Sequence, residues 1–95
     1  MTSTGSSGRG IVRLLNTADG RVLCLAGDVD VEVVGRFLRH YGREPVRVDI
    51  IEAGSVTSLS PSALDLVLDH LDLAERTGRT VVVRRSPLIK ELVRG

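Results

Sequence analysis

Two serine hydroxyls, Ser60 and Ser62, flank Pro61 where a strand-like run gives way to a helix-like run. A serine followed by proline predicts a helix start: the hydroxyl accepts from free N–H groups of the first turn, and proline has no N–H to leave unpaired. A helix start also concentrates partial positive charge, which would stabilise a phosphate added to either hydroxyl. The pattern predicts a structural cap and leaves phosphorylation of Ser60 or Ser62 open.

A second group of polar residues follows within the same predicted helix. Asp65, Asp69 and Asp72 recur at helical spacing beside His70. No second set of ligands converges from another segment, so a solvated acidic face is favoured over a metal site. His70 and His40 both fall on predicted helices, and the chain has neither a Gly-x-Ser-x-Gly motif nor a glycine-rich phosphate loop. We therefore expect no enzymatic activity, no metal and no cofactor.

The composition limits the classes of partner. A chain of 95 residues predicts one domain, and apolar residues at 42% with aromatics at only 2% predict an aliphatic core. Base stacking needs aromatic side chains, and a formal charge of +1 gives no field that would attract polyanions, so we expect no nucleic-acid partner. No apolar run approaches the roughly 20 residues of a membrane span, so we expect no membrane insertion and a cytoplasmic protein.

The single cysteine, Cys24, lies in a strand-like apolar run and cannot form an internal disulfide. We expect a buried, inert thiol there, whereas rapid labelling by a thiol reagent would indicate a redox role.

The chain begins with a predicted lead and hairpin. Residues 1–10 are rich in Gly, Ser and Thr without apolar periodicity, which predicts a disordered N-terminal lead before a domain over 11–95. Two β-prone runs then flank Asp19-Gly20, a turn sequence typical of hairpins. We expect antiparallel strands over 11–16 and 21–26.

Apolar residues recur at helical spacing in three later segments. The first predicts a helix over 31–41, capped by Asp30 and ended by Gly42. The last is a short helix that begins with Ser86 as its cap. The middle helix, 61–77, has the clearest pattern. Its predicted core face consists of Leu64, Val67, Leu68, Leu71 and Ala74, and its solvent face includes Leu66 and Leu73.

Two further apolar runs, over 45–51 and 79–85, predict strands of a sheet interior. The order is therefore β-β-α-β-α-β-α. Strands that alternate with helices lie parallel, while the opening hairpin adds an antiparallel strand. We expect the α/β class: a small mixed sheet of about four strands with about three helices.

Four segments carry a family resemblance. They are "LCLAGDVD", a strand that ends in Gly-Asp-Val-Asp; "VRVDIIEAGSVTSLSPSAL", a strand and loop that lead into a helix; "AERTGRTVVV", a helix end and the next strand; and "SPLIKELV", a Ser-Pro helix start. In this order, over about residues 11–94, the chain resembles a STAS domain, the fold of the bacterial anti-sigma factor antagonists. In that family the segment before the middle helix reads Asp-Ser-Ser-Gly-Leu and its first serine is phosphorylated.

This chain has Ser-Pro-Ser-Ala-Leu at the family's phosphorylation motif. The usual acceptor corresponds to Pro61, which has no hydroxyl, while Ser60 and Ser62 keep hydroxyls on either side of it. Three alternatives follow from the resemblance. Phosphorylation moves to Ser62 or Ser60, the chain is an antagonist that is insensitive to phosphorylation, or it is a binding module that has left the sigma pathway.

The resemblance implies a partner, an anti-sigma factor of kinase-type ATPase fold, which would dock on the start and outer face of the 61–77 helix and release a sigma factor. Leu66 and Leu73 would give that face an apolar centre with an acidic rim. Asp28 and Asp30 follow a strand on the same edge of the sheet, Asp30 being favoured as a cap. The expected partner-binding residues are Asp28, Asp30, Ser60, Pro61, Ser62, Leu66, Asp69 and Leu73.

An alternative function is an accessory subunit of an ABC transporter ATPase, since STAS-like subunits of that kind also lack the Asp-Ser-Ser pattern. Family domains usually continue into another strand and a C-terminal helix beyond the last matched segment. We therefore expect a C-terminally short domain whose open sheet edge is covered by a partner or left exposed, and a homodimer is one way to cover it.

Overall fold

The computed structural model describes residues 10–84. The lead before residue 10, the end of the last predicted strand at Arg85 and the helix predicted from Ser86 lie outside the described residues. The elements in chain order are β1 (Ile11–Thr17), β2 (Gly20–Val29), α1 (Val31–Tyr41), β3 (Ile50–Leu59), α2 (Pro61–Arg76) and β4 (Val82–Arg84).

The four strands form one mixed sheet in the order β1-β2-β3-β4, which confirms the predicted class. β1 pairs antiparallel with β2, and β2, β3 and β4 run parallel. The predicted hairpin is confirmed, and Gly20 closes it with a φ of 124°, a conformation that favours glycine. A side chain at Gly20 would also run into the carboxylate of Asp49.

The third strand lies later in the chain than predicted, at Ile50–Leu59 rather than 45–51. Its second half is polar, and it pairs with β2 through two register shifts, between Cys24 and Ala26 and between Gly27 and Asp28. The apolar alternation before Ile50 misled the prediction, because backbone pairing with a neighbour, rather than hydrophobicity, defines where a strand ends.

Both helices pack on the same face of the sheet. Leu23 and Ile51 are register partners with no solvent exposure, and they share one buried cluster with residues of both helices. That cluster consists of Leu23, Leu25, Val29, Val33, Val34, Phe37, Val48, Ile51, Ala53, Ala63, Leu66 and Val67. The helix-covered face therefore holds the aliphatic core that the composition predicts.

The opposite face of the sheet has a row of four cross-strand partners, Leu15, Val22, Ile50 and Val82. The central two are buried and the outer two are exposed. Cys24 occupies the next row and is half-buried, so the prediction of a fully buried thiol is wrong. The error arises because alternate residues of β2 point away from the helices, and Cys24 is one of these.

Helix α2 confirms its predicted bounds to within a residue but is rotated about its axis by roughly 80° from the predicted orientation. Its buried residues are Ala63, Leu66, Val67, His70 and Ala74. Leu66 is 6% exposed and belongs to the core, so its predicted place on the solvent face is wrong. Leu68, predicted in the core, is 39% exposed.

The rotation has a local cause. Only Ser60 separates the end of β3 from the start of α2, and its backbone N–H donates to the Val29 carbonyl at 2.9 Å. Because the connection is a single residue that is hydrogen-bonded to β2, α2 has little freedom to rotate about its axis. The connection to the sheet, rather than the apolar content of the helix, therefore determines which stripe faces the core.

Candidate docking site

The candidate site lies where β2 and β3 end side by side. Val29 and Leu59 are register partners, and the chain leaves both strands directly into helices. We name this region, comprising Asp28, Asp30, Ser58 and Ser60, the carboxyl edge. The prediction that Asp28, Asp30 and the Ser60 junction share one edge of the sheet is confirmed.

Two of the predicted site residues are helix caps. The Asp30 carboxylate accepts from the Val33 N–H at 2.9 Å, and the Ser60 hydroxyl accepts from the Ala63 N–H at 3.2 Å. Both predicted caps are confirmed, and Pro61 takes the first helical position. Each bond satisfies an N–H group of a first helical turn that has no partner within the helix.

Asp28 is held by a residue that the sequence did not single out. Its carboxylate accepts a hydrogen bond from the hydroxyl of Ser58, its register partner on β3. The register shift beside Asp28 brings these two side chains opposite each other. Asp28 is therefore oriented by the sheet itself and remains half-buried.

Ser62 differs from Ser60 in its contacts. Ser62 is half-buried at the mouth of a cleft of about 310 Å³ between the two helices, which Val31, Asp65 and Asp69 also line. Within the described residues its hydroxyl has no hydrogen-bond partner, whereas the Ser60 hydroxyl is committed to the cap.

The apolar surface near this edge is not the predicted one. Leu66 is buried and Leu73 is half-buried, while Val31, at the start of α1, is 66% exposed. The predicted and the observed buried stripes of α2 share Val67 and Ala74, and the sequence pattern alone favours the stripe richer in leucine. Ala63, a small apolar residue with no solvent exposure, belongs to the stripe that faces the core.

The outward side of α2 now has a definite set of residues. Counting about 100° per residue from the buried stripe, Pro61, Asp65 and Leu68 are the outward residues of the first turns of α2, and Ser62 and Asp69 lie beside them toward the cleft. Together with Val31, which borders the same cleft, they form what we name the docking face: Val31, Pro61, Ser62, Asp65, Leu68 and Asp69.

The docking face is acidic. Asp65 and Asp69 are exposed and form no salt bridge within residues 10–84, whereas Asp72, one turn further along, pairs with Arg76 at 2.9 Å. No three His, Cys, Asp or Glu side chains of residues 10–84 come together as a metal-binding group. The arrangement thus presents unpaired carboxylates beside exposed apolar side chains, which is the anatomy of a modest protein interface.

His70 lies beneath this face rather than on it. The ring is only 2% exposed, and its Nδ1–H donates to the Leu66 carbonyl at 2.9 Å, which leaves Nε2 buried without a partner in the described part of the chain. Desolvation lowers the pKa of His70, although the carbonyl and nearby Asp69 oppose the shift. His70 is therefore a neutral core residue, which the acidic sequence around it did not indicate.

Comparison of the chain with protein-family models, with curated proteins and with solved structures gives no match. Neither α1 nor α2, the helices of residues 10–84, has the length and apolar content needed to cross a membrane. The functional interpretation therefore depends on the residues and their arrangement.

Proposed function

We propose that this chain is a regulatory protein-binding module that captures an anti-sigma factor of kinase-type ATPase fold and thereby releases a sigma factor. The observation that carries the proposal is the pair of capped helix starts, at Asp30 and Ser60, side by side on one edge of a four-stranded mixed sheet. The four segments that resemble STAS domains support the same function.

The docking face supplies the contacts. Val31 and Leu68 are among the large apolar side chains most exposed on the two helices. Leu68 follows Asp65 by about one turn of α2, and Val31, at the start of α1, lines the same cleft as Asp65. Apolar side chains surrounded by unpaired carboxylates suit a partner whose surface combines an apolar pocket with Lys or Arg. Such a partner binds more weakly as salt rises, because the carboxylates are solvent-exposed and screened.

The proposed mechanism is competition for the anti-sigma factor. The module must bind the anti-sigma factor more tightly than the sigma factor does at cellular concentrations, because a ligand without a preference shifts no equilibrium. The carboxyl edge is suited to this because its caps hold the two helix starts in place before binding, which reduces the entropy cost of association.

Leu68→Asp is expected to weaken binding of the anti-sigma factor at least about tenfold, because it places a charge at the apolar centre of the docking face. Isothermal titration calorimetry against the anti-sigma factors of the host measures this directly. Leu15→Asp is the matched control: Leu15 is 38% exposed, close to Leu68 at 39%, but lies on the other face of the sheet.

Equal weakening by Leu68→Asp and Leu15→Asp would argue against the docking face. No binding of wild-type protein to any anti-sigma factor of the host would argue against the proposed function. A parallel titration against ABC transporter ATPases tests the alternative partner, and tight binding there instead of to the anti-sigma factor would replace the proposal.

Ser62 is the better phosphate acceptor of the two candidates in this proposal. The Ser60 hydroxyl accepts from the Ala63 N–H, while the Ser62 hydroxyl has no partner in residues 10–84. The first turn of α2 contains no acidic residue, so a phosphate on Ser62 would meet the positive end of the helix, while Asp65 in the next turn would oppose it. It would also add negative charge and bulk to the docking face and so change the affinity for the partner.

Incubation with the kinase-type partner and ATP is expected to phosphorylate wild-type protein and Ser60→Ala, but not Ser62→Ala. Ser60→Ala loses a cap and is expected to be destabilised by about 1 kcal/mol, so its folding is checked by circular dichroism. Intact-mass spectrometry gives the readout. Incorporation into Ser62→Ala but not Ser60→Ala would assign the site to Ser60, and no incorporation into wild-type protein would identify the phosphorylation-insensitive alternative.

A further inference from the structure

The other end of the sheet, where β2 and β3 begin, has a cleft of its own. Because these strands are parallel, this cleft and the carboxyl edge lie at opposite ends of the sheet. Its volume is about 420 Å³. We name it the arginine cleft; it is lined by Asn16, Thr17, Gly20, Arg21, Arg47, Asp49 and Arg79.

Asp49 organises the arginine cleft. One carboxylate oxygen accepts from the Arg21 backbone N–H at 2.9 Å, and the other accepts from the Arg79 guanidinium at 2.8 Å. The Arg21 N–H lowers the pKa of Asp49 most; desolvation opposes it, and the Arg79 guanidinium and the charge of Arg47 lower it further. Asp49 is therefore ionised at neutral pH and orients the Arg79 guanidinium.

The arginine cleft has more positive than negative charge. Three guanidinium groups line it and Asp49 is its only carboxylate, which leaves two positive charges without a counterion among the lining residues. Arg21 donates from Nε to the neutral Asn16 side chain at 3.3 Å, and Arg47 forms no salt bridge within residues 10–84. Arg79 Nε is buried and has no acceptor among the described residues.

We propose that the arginine cleft binds a small anion that carries a phosphate group. Two unmatched positive charges suit a dianion, and planar guanidinium groups donate paired hydrogen bonds to phosphate oxygens. Arg21 and Arg47 line the cleft and are exposed, so their side chains are accessible to an anion. This site is independent of the docking face, so either proposal can fail without the other.

The test is a titration of the ¹⁵N-labelled full chain with inorganic phosphate at constant ionic strength, followed by NMR of backbone and arginine Nε–H signals. We expect saturable shifts at Gly20, Arg21 and Arg79. Arg47→Gln is expected to weaken binding roughly tenfold, as loss of a charge-assisted hydrogen bond does. Asp49→Asn removes the competing carboxylate and is expected to tighten binding.

Arg13→Gln is the matched control, since Arg13 is an exposed arginine of β1 that does not line the cleft. Its affinity for phosphate should equal that of wild-type protein. A parallel titration with phenyl phosphate separates the sources of the anion: tighter binding than inorganic phosphate indicates an organic phosphate monoester, and equal or weaker binding indicates free phosphate. Shifts that do not saturate, or equal weakening by Arg47→Gln and Arg13→Gln, would overturn the proposal.

Discussion

Leu66→Ala is expected to lower the free energy of unfolding by about 3 kcal/mol, because it removes a leucine side chain from a closed core and leaves a cavity. Leu66 is 6% exposed and packs in the same cluster as Phe37 and Val67. Urea denaturation followed by circular dichroism measures the change. Leu66→Asp buries an unpaired charge in the same place and is expected to unfold the protein.

Leu68→Ala is the matched control, a leucine two residues away on the same helix. Because Leu68 is 39% exposed, its replacement should change the free energy of unfolding by no more than about 0.5 kcal/mol. The comparison also tests the rotation of α2. If Leu68→Ala were the more destabilising substitution, the leucine-rich stripe would face the core and the docking face would have to be redrawn.

The free energy of unfolding is expected to fall as the pH is lowered through the titration of His70. Desolvation holds the pKa of folded His70 below its ordinary value of 6.5, so near that pH the unfolded chain binds more protons than the folded one. The stabilising contribution is complete above pH 6.5, is lost as the pH falls toward the folded pKa and does not change further below it. The slope cannot exceed about 1.4 kcal/mol per pH unit for one proton.

Chemical denaturation at a series of pH values measures this slope, with His70→Leu and His40→Gln as the paired variants. His70→Leu should abolish the dependence in this window, whereas His40→Gln, on the exposed end of α1, should retain it. The titration of Asp49 does not interfere, because its lowered pKa places its own loss of stability below its ordinary value of 3.8. A slope unchanged in His70→Leu would contradict the assignment.

Local signals in the sequence predicted much of this fold. The Asp-Gly turn, the caps at Asp30 and Ser60 and the stop at Gly42 each act within a few residues, and the structure has all of them at the predicted positions. The alternation of strands and helices also predicted a mixed sheet with parallel neighbours after the hairpin. These features depend on chemistry that a short segment contains in full.

The remaining features depend on contacts between distant segments. The start of β3 is set by pairing with β2. The rotation of α2 is set by the hydrogen bond from the Ser60 N–H, after β3, to the Val29 carbonyl at the end of β2. The burial of His70 follows from that rotation. The arginine cleft forms because three segments of the chain meet at one end of the sheet. Apolar periodicity identifies the apolar stripes of a helix. Where two stripes overlap, as they do around Val67, it does not determine which of them packs against the core.

Ser60 is bonded to strand and helix alike: its N–H to Val29 and its hydroxyl to Ala63. Replacement of the Ser60 side chain therefore removes the cap of α2 but keeps the backbone bond to Val29. The outward side chains of Pro61, Asp65 and Leu68 make neither of these bonds. Substitutions at these positions would therefore change the surface of α2 and leave the connection between sheet and helix intact.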